Sequence, residues 1–411
     1  MHDGALHRSA HAHGKARRQV SHGPASHAPA PVAWVRTPTA LAALAEHLTT
    51  APAVALDTES DSLHHFPEKV CLVQVAHADG AIYLVDPLVL PGLEPLRAVC
   101  ADPGVVKVFH GASYDLASLK RDFGFSFRRL FDTMLAAQFL GLPELGLDAL
   151  RQRYFGVAPG PSRQKDDWAG RPLTPEQEAY AAADVRHLLG LREALLAGLE
   201  ALGRVAWVEE ECLALEEIPA AARVFDPEGY LALKGARELD GRGRAVLREL
   251  YLAREAWAHE FGRPPFRLLG NEPMLTVAGR RPETAEALLC IPGCTPRVVG
   301  RLGERILAAV RKGLALPAEA LPALPPRRPR PHAPPELRRR AELLTAWRTR
   351  AAAALGIEAG VFLPKRLIER IAEAAPESTA DLERVEGLRQ WRRRLFGREI
   401  VAAIRDGRGR E

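Results

Sequence analysis

The sequence predicts an α/β domain in the N-terminal half, followed by two small all-helical units. Three observations lead there. Short apolar runs at 52–56 and 105–110 end in polar turns, which suits buried strands and is too short for core helices. Residues 176–185 are strongly helical in composition and follow a helix-start signal. Residues 291–313 align without gaps to 385–407, so one compact unit occurs twice.

The elements follow in chain order. Residues 1–30 are rich in His, Ala, Ser and Gly and lack the apolar centre of a secretory signal; they read as a disordered tail. Pro52 to Leu56 then reads as a buried strand. Residues two apart on a strand point to the same side, so Asp57 and Glu59 present two carboxylates from one face. Like charges held that close are costly unless a cation sits between them. Gln74, within the apolar run 70–75, is a strand residue.

A second strand at 105–110 leads through the turn Gly111-Ala112-Ser113 into a helix that begins at Tyr114. Asp115 therefore lies near a helix N-terminus, where a carboxylate also serves as a dipole-matching group. His110 has two readings, a substrate contact or a residue that closes the strand end, and the structural one is favoured. Asp132 precedes the helical run 135–140 and is expected to cap it. Thr174 and Pro175 give the next helix its cap and first position. Tyr180 and Asp184 are four apart and share one face of that helix. A phenol above a metal-bound carboxylate could orient an attacking water. The ordinary alternative buries Tyr180 in the core and leaves Asp184 in solvent.

Taken in order, strand-end Asp57-Thr58-Glu59, then His110 to Asp115, then Tyr180 to Asp184 resemble the DEDD exonuclease superfamily. The resemblance is to its tyrosine-containing branch, and most closely to the ribonuclease D family. The words Phe131-Asp132-Thr133, Asp167-Trp168, Arg171 to Thr174 and Tyr180 to Val185 extend it, from about Val32 to about Gly203. It implies a ribonuclease H-like α/β exonuclease domain with a mixed sheet. It also implies two divalent ions, Mg²⁺ or Mn²⁺. Asp57 would bridge both, Glu59 and Asp184 would hold the first, Asp115 would bind the second through water, and Tyr180 would position the nucleophilic water. The implied reaction is 3′–5′ hydrolysis of RNA, with transfer RNA precursors as leading substrate, releasing nucleoside 5′-monophosphates. Family members carry a bulky residue after Asp-x-Glu where this chain has Ser60, which bears on stacking of the last base. A DNA-directed exonuclease and an inactive nucleic-acid scaffold are the alternatives; the five intact residues argue against the scaffold.

The duplicated helical units resemble the HRDC domain, which implies a role in holding nucleic acid. Arg338 to Arg340 near Trp347, and Arg392 to Arg394 near Trp391, are candidate phosphate contacts. Phe266 and Phe362 are expected at comparable places in the two units. The expected division is a tail at 1–30, an exonuclease domain at 31–205, helical domains at 225–315 and 335–411, and a Pro-rich linker at 316–334 between them.

Composition bounds the rest. The 411 residues have room for two or three domains, and 47% hydrophobic content fills real cores. A net charge of +5 is compatible with a polyanionic partner. Five cysteines without a Cys-x-x-Cys pair suggest neither zinc nor a disulfide framework, and point to the reducing cytoplasm. No stretch approaches a membrane span, and no Gly-x-x-x-x-Gly-Lys-Ser/Thr loop for ATP is present.

Overall fold

The computed structural model describes residues 32–221, 224–324 and 334–405. The expected tail and residues 325–333 of the expected linker lie outside these. The α/β part has strands β1 (Val32–Val35), β2 (Ala53–Ser60), β3 (Val70–Ala76), β4 (Ile82–Val85), β5 (Val106–Phe109) and β6 (Leu130–Asp132). Its helices are α1 (Pro38–Leu48), α2 (Glu94–Ala101), α3 (Ser113–Phe123), α4 (Thr133–Phe139), α5 (Leu147–Phe155), α6 (Pro175–Arg186), α7 (Leu188–Ala201) and α8 (Val205–Glu216).

The six strands form one mixed sheet in the order β1-β4-β3-β2-β5-β6. β3 runs antiparallel to both β2 and β4, and the remaining pairs are parallel. β2 is central and its apolar start, Ala53 to Leu56, is buried, which explains why that run reads as continuous rather than alternating. The strand continues past its apolar part to Ser60, and its register with β3 shifts between Glu59 and Ser60. Such a bulge re-aims side chains next to a site.

The helix signals act as written. Thr174 and Gln177 close a reciprocal capping box on α6. Asp132 caps α4 by accepting from Met134 N and Leu135 N. The same carboxylate also accepts from Gly111 N at 3.0 Å and Ala112 N at 2.9 Å. It therefore ties the turn that opens α3 to the start of α4. Gly111 sits in that turn at φ 71°, a conformation that favours glycine.

The rest of the chain is helical: α9 (Gly241–Phe261), α10 (Pro265–Leu268), α11 (Asn271–Arg280), α12 (Ala285–Leu289) and α13 (Pro296–Leu314), then α14 (Pro335–Leu355), α15 (Ala359–Phe362), α16 (Lys365–Ala374) and α17 (Gln390–Arg405). Helices α9, α10, α11 and α13 start at one constant spacing from α14, α15, α16 and α17, so the duplication in sequence is a duplication in structure. The expected equivalence of Phe266 and Phe362 needs correction. Leu268 and Phe362 close their short helices and are both buried, while Phe266 is exposed.

The two copies attach differently. The first has its own core, with Val246, Leu250, Trp257, Leu302 and Ile306, joined from the α/β part by Phe66. Its other contacts there include hydrogen bonds from Arg263 to the His64 carbonyl and from Arg267 to the Leu63 carbonyl. The second copy shares one continuous core with the sheet, through Leu344, Trp347, Phe362, Ile368 and Trp391. Arg204 locks this joint by donating to the carbonyls of Phe139 and Leu355. Among the described residues no helix is long and apolar enough to cross a membrane.

Candidate active site

β2 delivers Asp57 and Glu59 at its polar end, and α6 delivers Tyr180 and Asp184 one turn apart. Asp57, Glu59 and Asp184 come together: one carboxylate oxygen from each lies within 4.8 Å of the others. Tyr180 stands beside Asp184, whose charge acts on its hydroxyl. These four residues line a cavity of about 650 Å³ with Ser60, His110, Tyr114, Asp148, Gln164 and Asp166. Tyr180 is partly buried and Asp184 is not out in solvent, so the ordinary alternative for this pair does not hold.

Asp115 stands one step back. It is buried in the first turn of α3 and accepts a hydrogen bond from the Thr58 hydroxyl at 2.5 Å. Thr58, between the two strand carboxylates, is thus the link from Asp115 to the trio, and the repulsion of the Asp115 carboxylate is felt at Asp57.

Crowding and burial set the electrostatics. Burial first, then Asp115, Asp184 and Glu59, hold the Asp57 carboxyl well above the usual range. Burial, Asp184, Asp115 and Asp166 push Glu59 up to about 9. Burial lifts Asp184 to about 7 and Asp115 to about 6. Such a cluster is unstable as a set of anions in a low dielectric and becomes favourable when a hard cation is added. The donors are all oxygen, which suits Mg²⁺ or Mn²⁺ over softer ions. The residues therefore fit divalent ions.

Residues that sequence reasoning passed over complete the wall. The sequence marks Tyr114 only as a helix start. Its exposed ring lines the cavity, and its hydroxyl meets Ser60 Oγ at 2.8 Å and Glu68 at 3.3 Å. Asp148 and Asp166 add negative charge beside Asp184 and Glu59 respectively. No local pattern marks these as site residues, because their role depends on loops meeting the sheet end. His110 does close the strand end, with Nδ1 2.9 Å from Thr133 Oγ1. The Thr133 hydroxyl also donates to the Phe109 carbonyl at 3.0 Å, which ties the end of the strand to the start of α4.

Among the expected phosphate contacts in the last module, Arg392 needs correction, while Arg338, Arg339 and Arg394 are exposed. Trp391 and Trp347 are buried. Arg392 is 4% exposed and donates to the carbonyls of Val361 and Phe362 and to Glu211. The two indoles and the Arg392 guanidinium are taken up by packing.

The 3′–5′ exonuclease family matches residues 32–200, and the HRDC domain matches residues 243–310 and 338–404. The chain is 35% identical over 374 residues to a ribonuclease D of Gluconacetobacter diazotrophicus, covering 90% of this chain and 91% of that one. It is 32% identical to a ribonuclease D of Pseudomonas paraeruginosa, covering 91% of this chain and 97% of that one. It is similar in fold to the crystal structure of Escherichia coli RNase D, described as an exoribonuclease involved in structured RNA processing. That match has a TM-score of 0.65 at 27% identity and covers 91% of this chain and 98% of that one.

Proposed function

This chain belongs to the ribonuclease D family and is a 3′–5′ exoribonuclease; from that premise we propose that it trims the 3′ ends of structured RNA, transfer RNA precursors among them, releasing nucleoside 5′-monophosphates. The observation that carries the reading is the convergence of Asp57, Glu59 and Asp184 oxygens within 4.8 Å, beside the Tyr180 hydroxyl. Asp57, Glu59 and Asp184 would hold one divalent ion, and Asp57 with Asp115 a second. When bound, such ions supply a water of lowered pKa and charge stabilisation for the leaving oxygen.

The protein's own groups have separate tasks. Burial and the surrounding carboxylates raise the Tyr180 pKa, so its hydroxyl keeps the proton. The phenolic oxygen remains able to accept from a water in the cavity. Tyr180 is thus a positioning group for the nucleophile and not its base. Thr58 fixes the Asp115 carboxylate. The Tyr114 ring, tethered through Ser60, offers a flat face for the terminal base and answers the loss of bulk at position 60.

The division into 31–205, 225–315 and 335–411 is part of this reading, supported by where the family matches fall. Cytoplasmic residence is supported by five free cysteines, four of them buried.

The test is to offer 5′-labelled single-stranded RNA and matched DNA with Mg²⁺ and with Mn²⁺. The expected result is a ladder of single-nucleotide steps on RNA that disappears with a chelator. Internal cuts, or undiminished activity without divalent ions, would overturn the reading; equal rates on DNA would favour the DNA-directed alternative.

A further inference from the structure

His47, His77 and Asp79 form a second group of metal-binding side chains: one ligand atom from each lies within 4.8 Å of the others. His47 lies in the last turn of α1, while His77 and Asp79 stand in the β3–β4 turn. His47 Nε2 lies 3.1 Å from one Asp79 oxygen, and His77 Nδ1 lies 3.0 Å from the other. Two ligand atoms bound to one ion at about 2.0–2.1 Å and a tetrahedral angle stand about 3.3 Å apart. The spacing already approaches that of a coordination sphere.

The protons point the same way. The Thr50 hydroxyl donates to the His47 carbonyl at 2.7 Å, so toward His77 Nε2, 3.4 Å away, it can only accept. That leaves His77 protonated on Nε2, with a lone pair on Nδ1. The amide of Asp79 also points its N–H at Nδ1, at 3.3 Å. A lone pair facing a carboxylate at 3.0 Å is repulsive unless a cation lies between them. A divalent ion held by the three ligand atoms is such a cation. Thr50 then has the role of an outer partner that sets the tautomer of a ligating histidine.

We propose that His47, His77 and Asp79 bind a Zn²⁺ ion that clips the end of α1 to the β3–β4 turn. Two imidazoles and one carboxylate suit zinc over Mg²⁺. His77 is buried and Asp79 half exposed, so the remaining coordination position faces solvent. The site is separate from the carboxylate cavity. Asp57 pairs with Gln74, three residues before His77, so about 10 Å of strand lies between them.

The test is thermal unfolding of the full chain in saturating Mg²⁺, with and without equimolar Zn²⁺. The six histidines among residues 1–30 can take up Zn²⁺ too, but a site that is alike in folded and unfolded chains leaves Tm unmoved. The wild type should gain about 3–6 °C. His47→Ala and Asp79→Asn should each lose that gain while keeping Mg²⁺-dependent RNA turnover. Asp79→Asn keeps an oxygen for the Ala81 amide, so it guards against a simple folding defect. No gain in the wild type, or the same gain in both variants, would overturn the proposal.

Discussion

Trp207 and Trp391 lie face to face, with ring centroids 4.4 Å apart and planes 8° from parallel. One ring belongs to the last helix of the α/β part and the other to the final helix of the chain. Phe139 meets Trp391 edge-on at 5.6 Å, and Glu211 of α8 pairs with Arg392. The second helical module is therefore built into the catalytic domain's core.

Trp391→Ala should cost about 3–5 kcal/mol of stability, as for other buried aromatics. Because the core is continuous, the loss should reach the nuclease site: activity should fall at a lower temperature than in the wild type. Urea unfolding with a parallel activity assay checks this. A variant that unfolds its last module while the nuclease keeps full heat resistance would contradict the shared core.

Asp57→Asn should lower nucleotide release at least about 10²-fold. It should also raise the Tm of the metal-free protein, because it removes one anion from a crowded, buried set. Turnover of labelled RNA and thermal unfolding in chelator are the two measurements. Near-normal turnover would break the site assignment.

Tyr180→Phe should lower kcat by about 10–10³-fold with little change in divalent-ion affinity, since the phenol stands beside Asp184 and lines the cavity but is not itself a ligand. Single-turnover rates with a metal titration separate the two effects. A loss of metal affinity equal to the loss of rate would make Tyr180 a support of the ion site.

Tyr114→Ala should raise KM about 10-fold with kcat nearly kept, if its ring stacks on the terminal base. Steady-state kinetics on a short oligonucleotide decide it.

The pH dependence follows from the raised carboxyls. Unfolded, they titrate near 4; folded and metal-free, Asp115, Asp184 and Glu59 hold protons up to about 6, 7 and 9. The folded state thus binds more protons, and this site's contribution to metal-free stability falls as pH rises from about 4 to 9. Divalent ions displace those protons, so apparent affinity should rise up to about tenfold per pH unit for each proton displaced. The gap in Tm between Mg²⁺-loaded and chelated protein should widen from pH 6 to 9. A gap that narrows would contradict the crowding.

Much of this molecule is written locally. Strand alternation put Asp57 and Glu59 on one face, helical spacing put Tyr180 over Asp184, and the Thr174 and Asp132 caps were readable from their neighbours. These features depend on residues a few positions apart, whose geometry the backbone period sets. What only the tertiary structure decided involves partners far apart in the chain. Thr58 reaching Asp115, Asp132 gripping the turn at Gly111, and Tyr114 answering Ser60 all join distant segments. The two helical copies carry similar patterns, yet one keeps its own core and the other merges with the sheet. A repeat's period determines which residues turn inward; which neighbour covers its remaining apolar face depends on surfaces such as Phe139 and Trp207, and no window of its own sequence contains them.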